Sequence, residues 1–453
     1  MTPVAWASTD SSVARVEPLS PDGARGDFVT ACLTVYIVVL FAVPSRLVVG
    51  PLGSAGSISM LLGLVSFGLW VVLLLVGFGR VMPPTARPLR WALGAFAFSV
   101  GVSYVLAMSQ PISSDEISPA DVAILSLTSW AGIMLLSHDG ITSSRKLGTV
   151  LWRFVFCGGL LALLGIAQFA TRQAIVDLIS IPGLTSIADA TLYNRNGLVR
   201  PAGTAIHPIE YGTLLCILLP LALHVGLHYR ERPPVLRWFP AVAIAGVIAI
   251  SSSRSAYLGA VLGVVICMVA WTSKQRRILI TIVAVGFAVA SIALPRLITS
   301  ITNLFVGVEE DPSIASRTDS FSFAWAFIAE HPLFGRGLGT FLPKYRIFDN
   351  QYLGMLVTIG VVGALALVAI GIVAMSQLMR VYQVVEDPRT SDLSVSLVAS
   401  VAAGFVSLAF FDAFAFPMTM GTLFLVLGLV GAFSRLSLRD AAGERPSFIT
   451  TPF

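Results

Sequence analysis

The chain has 453 residues, 56% of them hydrophobic and only 12% charged, with a net charge of +5. A soluble globular domain carries about 25% charged residues, so the composition excludes one and points to an integral membrane protein. The basic excess gathers at the ends of apolar runs, where membrane topology accounts for it, and this excludes nucleic acid as a partner.

Residues 1–27 are polar and lack the apolar core and cleavage site of a secretory signal, so they read as a disordered cytoplasmic tail. About twelve apolar runs follow, at 28–49, 57–78, 90–108, 120–137, 147–170, 207–227, 235–252, 255–272, 277–294, 350–375, 393–411 and 416–434. Each approaches the roughly 20 residues that a helical span needs. Runs this continuous do not alternate as barrel strands do. In hydrocarbon a helix satisfies its backbone groups within its own segment. The expected fold class is therefore an all-α integral membrane protein with about 12 transmembrane helices, occupying 28–434. The fourth run is the weakest, diluted by Ser126, Thr128 and Ser129. Residues 435–453 read as a second cytoplasmic tail. The four cysteines, Cys32, Cys157, Cys216 and Cys267, lie inside apolar runs without a CxxC pair and read as small buried hydrophobes.

With both termini cytoplasmic, the inner loops collect Arg80, Arg87, Arg90, Arg145, Lys146, Arg230, Arg232, Arg237, Lys274, Arg276, Arg277, Arg380 and Arg389. The outer loops 109–119 and 412–415 hold no basic residue. Two long outer loops break the pattern, 171–206 and 295–349. The first carries "QAIVDLISIPGL", expected as an amphipathic stretch at the interface. The second carries "SRTDSFSFAWAFIAEH", with apolar residues at helical spacing, so it is expected to be ordered.

Four outer patches could carry chemistry. In "AISSSRSAYLG", Arg254 stands at a tight turn between two spans. It either snorkels to lipid phosphate or binds an anionic ligand, whose oxygens a guanidinium matches in pairs. Arg317 opens the helical pattern of the long loop, and "HPLFGRGLGTF" closes it with a tight turn; a surface ion pair for Arg317 is the plainer reading. In "FDNQYLGMLVTIGVVG", Asp349 reads as a helix N-cap, a general base, or both at once. In "LVRPAGTAIHPIEYG", Arg200, His207, Glu210 and Tyr211 crowd one span entrance. His207 and Glu210 at i, i+3 suggest a structural pair; no second His or Cys completes a metal set there, and no metal is expected.

In this order, the four patches resemble the O-antigen ligase and O-antigen polymerase superfamily, most closely over residues 198–365. The resemblance implies a polytopic glycosyltransferase of the GT-C-type architecture, acting at the outer face of the cytoplasmic membrane. Its donor would be a polyprenyl-pyrophosphate-linked oligosaccharide and its acceptor a glycan hydroxyl. No cofactor is implied. Matching motifs place Arg254 and Arg317 on the pyrophosphate, with Arg200, Asn350 and Tyr352 as further substrate contacts. Many members carry His where this chain has Asp349, so the base is expected to be Asp349, or else His207 or Glu210. The absent His tips the expectation slightly toward a polysaccharide polymerase over a ligase. Two other readings compete: a polysaccharide or lipid transporter, which should show charges at mid-membrane and repeated halves, and a peptidoglycan polymerase of the shape, elongation, division and sporulation class.

Overall fold

The computed structural model describes residues 21–76, 87–188, 193–195, 198–293, 295–303 and 312–442. Most of the two expected tails, and Arg80, lie outside the described residues. The described chain folds as helices α1 (Pro21–Ala42), α2 (Ile58–Leu75), α3 (Pro88–Met108), α4 (Ser114–Gly140) and α5 (Ser144–Thr171). Then come α6 (Pro208–His228), α7 (Pro234–Ile250), α8 (Arg254–Cys267), α9 (Ser273–Ala293), α10 (Pro295–Asn303) and α11 (Pro312–Glu330). The last are α12 (Gln351–Thr358), α13 (Gly360–Val384), α14 (Pro388–Ser407) and α15 (Pro417–Ala441). Among the described residues, ten of these helices are long and apolar enough to cross a membrane, and α7 and α8 are shorter apolar helices.

The turns gather at two ends. One, the loop end, holds the long connections. Two small antiparallel ribbons tie them together: β1 (Leu47–Val49) with β2 (Leu184–Ser186), and β3 (Tyr193–Arg195) with β4 (Leu198–Arg200). The Ser45 N–H donates to the Thr204 carbonyl at 2.9 Å, and Arg46 pairs with Asp177 at 2.7 Å. The other, the short-turn end, holds the connections after α4, α6, α8 and α13.

α6 and α15 are buried along nearly their whole length, whereas α9 buries no residue. Around that core the helices approach through small side chains, as spans do where lipid is as apolar as the protein. A Cβ on Gly132 would lie 2.4 Å from the Gly63 carbonyl oxygen, and one on Gly428 would lie 2.7 Å from that of Met134. The fourth span is therefore not marginal. Its small and polar residues let α2 and α15 close on it, and Ser129 is buried against Gly63. Its helix also begins at Ser114, which leaves 109–113 as the outer turn instead of 109–119.

Three further expectations change. "QAIVDLISIPGL" forms no amphipathic helix; it makes one 3₁₀ turn, Ile175–Leu178, and then enters β2. The last span runs to Ala441, beyond the expected tail boundary, because Arg435 is drawn inward to donate to the carbonyls of His138 and Ile141. The tenth span is broken between α12 and α13, where Gly360 takes φ +68°. The loop before it fills the break. Arg336 and Gly337 N–H groups donate to the Val357 and Thr358 carbonyls at 3.1 and 2.8 Å. Val361 and Val362 N–H groups donate back to Pro332 and Leu333 at 2.9 and 3.2 Å. Broken helices survive at membrane depth only where protein satisfies the freed groups, and "HPLFGRGLGTF" does so here. α11 and α12 share a small apolar core of Ala324, Ile328, Phe348, Leu353 and Val357.

Candidate functional site

The turn between α7 and α8 is built from Ser251, Ser252 and Ser253, all buried. Ser252 adopts φ +48°, a left-handed conformation that is strained for a non-glycine residue and recurs where structure is held for function. Its hydroxyl is buried and has no described hydrogen-bond partner. Arg254 follows as the first residue of α8 and is partly exposed. α8 has 14 residues. At about 1.5 Å per residue it rises roughly 21 Å, short of a hydrocarbon layer of about 30 Å, so its flanking turns are drawn inward. A Cβ on Gly212 would lie 2.9 Å from that of Ala256, which fixes the turn against the start of α6.

Arg200 ends β4 and reaches this turn, its Nε donating to the Ser251 carbonyl at 3.2 Å. Two arginines thus flank one Ser-rich turn. Arg317 lies on α11; its side chain is outside the described residues.

His207 and Glu210 do not form the expected pair. His207 caps α6, its Nδ1 accepting from the Ile209 N–H at 3.1 Å. Burial, then the charge of Arg200, pushes the imidazole down to about 4, so it is neutral and weakly basic at neutral pH. Glu210 is fully buried. One of its oxygens accepts from the Ile206 N–H at 2.9 Å and the other from the Met418 N–H at 2.8 Å. It clasps the N-termini of α6 and α15 together, satisfying orphan donors of both. Neither oxygen is open to a substrate, which corrects its reading as a candidate base.

The entrance to α12 is also reassigned. Asn350, not Asp349, is the N-cap: its Oδ1 accepts from the Tyr352 and Leu353 N–H groups at 3.0 and 3.2 Å. Tyr352 donates its hydroxyl to the Phe405 carbonyl at 2.7 Å, and Gln351 accepts from the Phe414 N–H at 2.8 Å. Asn350 and Tyr352 therefore help position α12, through the Asn350 amide oxygen and the Tyr352 hydroxyl. Asp349 is left outside the cap and partly exposed. It lies close enough to Asp412 for its charge to act there. Burial first, and Asp349 second, push the Asp412 carboxyl up to about 6.

Asp412 was not singled out in the sequence. Its signal was a lone carboxylate in the aromatic turn "FFDAFAF". That turn follows α14, whose Ser407 hydroxyl comes 3.3 Å from where a Cβ on Gly259 of α8 would sit. The packing of α8, α14 and α12 thus brings the Arg254 turn and the two aspartates to one end of the bundle. Two other ion pairs at that end are structural. Arg336 pairs with Glu116 at 3.0 Å and Lys344 with Asp115, fastening the long loop to α4.

The architecture is that of a multi-pass helical membrane protein with Arg254, Arg200, Asp349 and Asp412 at one end of the bundle. Residues 239–368 match the family model described as O-Antigen ligase, a match that supports membership of the O-antigen ligase superfamily. The matched segment starts later than the expected 198–365. It includes Arg254, Arg317, Asp349, Asn350 and Tyr352, but not Arg200, His207, Glu210 or Asp412. No curated protein matches the chain.

Proposed function

We propose that this protein is a glycosyltransferase that moves a glycan from a polyprenyl-pyrophosphate donor to an acceptor hydroxyl at the loop end of the bundle. Superfamily membership supports a glycan-processing membrane enzyme of the ligase and polymerase kind. It lends no support to the transporter reading. The observation that carries the finer reading is the convergence of Arg254, Arg200 and the Asp349–Asp412 pair at one end. Basic residues crowd the opposite end, including Arg90, Lys146, Arg389 and Arg435. By the positive-inside rule that end faces the cytoplasm and the loop end faces outward.

In the proposed step the acceptor oxygen attacks the anomeric carbon. The bond from that carbon to the phosphate oxygen breaks, and the polyprenyl diphosphate departs with its electron pair. Arg254, Arg317 and Arg200 stabilise the charge that develops on it. The hydroxyl proton passes to the aspartate pair. A carboxylate near 6 is ionised at neutral pH yet more basic than an ordinary one, which suits a general base. A polymerase is slightly favoured over a ligase, on the absence of His at position 349.

The test supplies purified protein with a defined polyprenyl-diphosphate oligosaccharide. A product ladder is the expected result, and a single transfer to a different acceptor would make the enzyme a ligase. Undiminished transfer by a well-inserted Arg254→Ala protein would remove the proposed role of the Ser-rich turn.

A further inference from the structure

At the short-turn end, far along the bundle from the Arg254 turn, α6 carries two histidines one helical turn apart, His224 and His228. Their rings stack at 5.0 Å. Asp392 of α14 reaches both: its Oδ2 is 2.6 Å from His224 Nδ1 and 3.4 Å from His228 Nε2. His224 and Asp392 are buried, and His228 is 21% exposed. The other carboxylate oxygen, Oδ1, accepts from the Trp271 indole N–H at 3.1 Å.

We propose that His224, His228 and Asp392 form a site for a divalent first-row metal ion of the zinc class. A His pair at i, i+4 on one helix face is a recognised half of such a site, and a carboxylate from a second helix completes a two-His-one-carboxylate set. One ligand atom from each residue can be chosen so that all lie within 4.8 Å of one another. Zinc bonds of about 2.0–2.1 Å at tetrahedral angles put ligand atoms about 3.3 Å apart. The His228–Asp392 separation of 3.4 Å already fits, and the His224–Asp392 separation of 2.6 Å has to widen by less than about 1 Å as the ion replaces the shared proton. Trp271 holds the second carboxylate oxygen, the outer contact that orients a metal-binding carboxylate. His224 also borders a cleft of about 1010 Å³ at this end, whose walls carry both arginines and carboxylates.

A second Trp–Asp–His cluster nearby gives the contrast. Asp139 takes Trp70 and His138 at 2.7 Å each, but its remaining contact is the Arg90 guanidinium at 3.0 Å. A fixed cation already balances that carboxylate. Asp392 is instead met by two imidazoles, groups that can give up their protons to a metal.

This site stands apart from the proposed transfer chemistry and is tested without an activity assay. The full chain, purified in detergent through a tag without histidines, is stripped with chelator, reloaded with Zn²⁺ and analysed for metal content. Co²⁺ then serves as a spectroscopic probe. About one equivalent per chain is expected for the wild type, with visible cobalt bands of low coordination number. His228→Ala and Asp392→Asn should lose at least nine-tenths of it. His228→Gln, a milder change at the most exposed ligand, should lose it while keeping the wild-type elution volume. A wild type that retains no more Zn²⁺ or Co²⁺ than His228→Gln would overturn the proposal.

Discussion

The carboxylates at the two ends of the bundle meet their neighbours in two ways. At the short-turn end, Asp139 is satisfied from several directions, by Trp70, His138 and Arg90. At the loop end, Glu210 is equally satisfied, by two backbone N–H groups. Asp412 differs in its neighbour: it is partly buried beside a second carboxylate, Asp349. A saturated buried carboxylate stabilises a fold and resists change. Under the proposed function, a carboxylate beside a second one at the rim serves the chemistry while Glu210 serves the scaffold, although both abut the start of α15.

Five measurements would break or sharpen that contrast. Asp349→Asn should lower transfer by about 10²–10⁴-fold, the range for losing a positioned base, with a thermal midpoint no lower than that of the wild type in the same detergent. Arg254→Ala should cost on the order of 10²–10³-fold in rate; Arg254→Lys should recover only part of it, because a point charge does not reproduce the paired geometry. Glu210→Ala should act on stability instead, by about 2–4 kcal/mol, since it strands two helix-terminal donors in a buried place; thermal unfolding would read it. If Glu210→Ala were stable and inactive, the scaffold assignment would fail. Gly360→Ala should cost about 1–3 kcal/mol, because its Cβ would meet the Leu333 carbonyl at 2.3 Å in a left-handed conformation.

The smallest effect is a pH dependence. The folded-state value of Asp412, about 6, is above the ordinary carboxyl value of 3.8, so the fold favours the protonated form. Its contribution to stability is fully present below about pH 4 and lost as pH rises through 6. Asp412→Asn should therefore raise the thermal midpoint at pH 7 relative to wild type, and the difference should vanish by pH 4. The transfer rate of the wild type should climb through about pH 6, and a limb that persists in Asp412→Asn would assign it to another group.

The class of fold was plain from hydropathy alone, because helical spans announce themselves by length. The clustering of Arg254, Arg200 and Asp349 at one end also followed from counting spans. What spacing could not reveal was which polar atoms the fold itself occupies. His207 and Glu210 at i, i+3 look like a pair, yet the backbone of a helix 208 residues away takes one Glu210 oxygen. Asp349 and Asn350 are adjacent, and only the cap geometry decides which is engaged. Asp412 and Asp392 were passed over because their partners come from other helices: Asp349 for the first, His224 and His228 for the second. The break at Gly360 was hidden inside an unbroken apolar run, since a positive φ leaves no mark on hydropathy.

That break limits how the protein can be re-engineered. Four main-chain bonds join residues 332–337 to 357–362. The long loop is thus not a cassette to be swapped between relatives at its visible boundaries. A chimaera that exchanges only the loop would leave two helix ends facing each other with mismatched backbones inside the bilayer. A graft that carries the sequence through Val362 would keep its own splint.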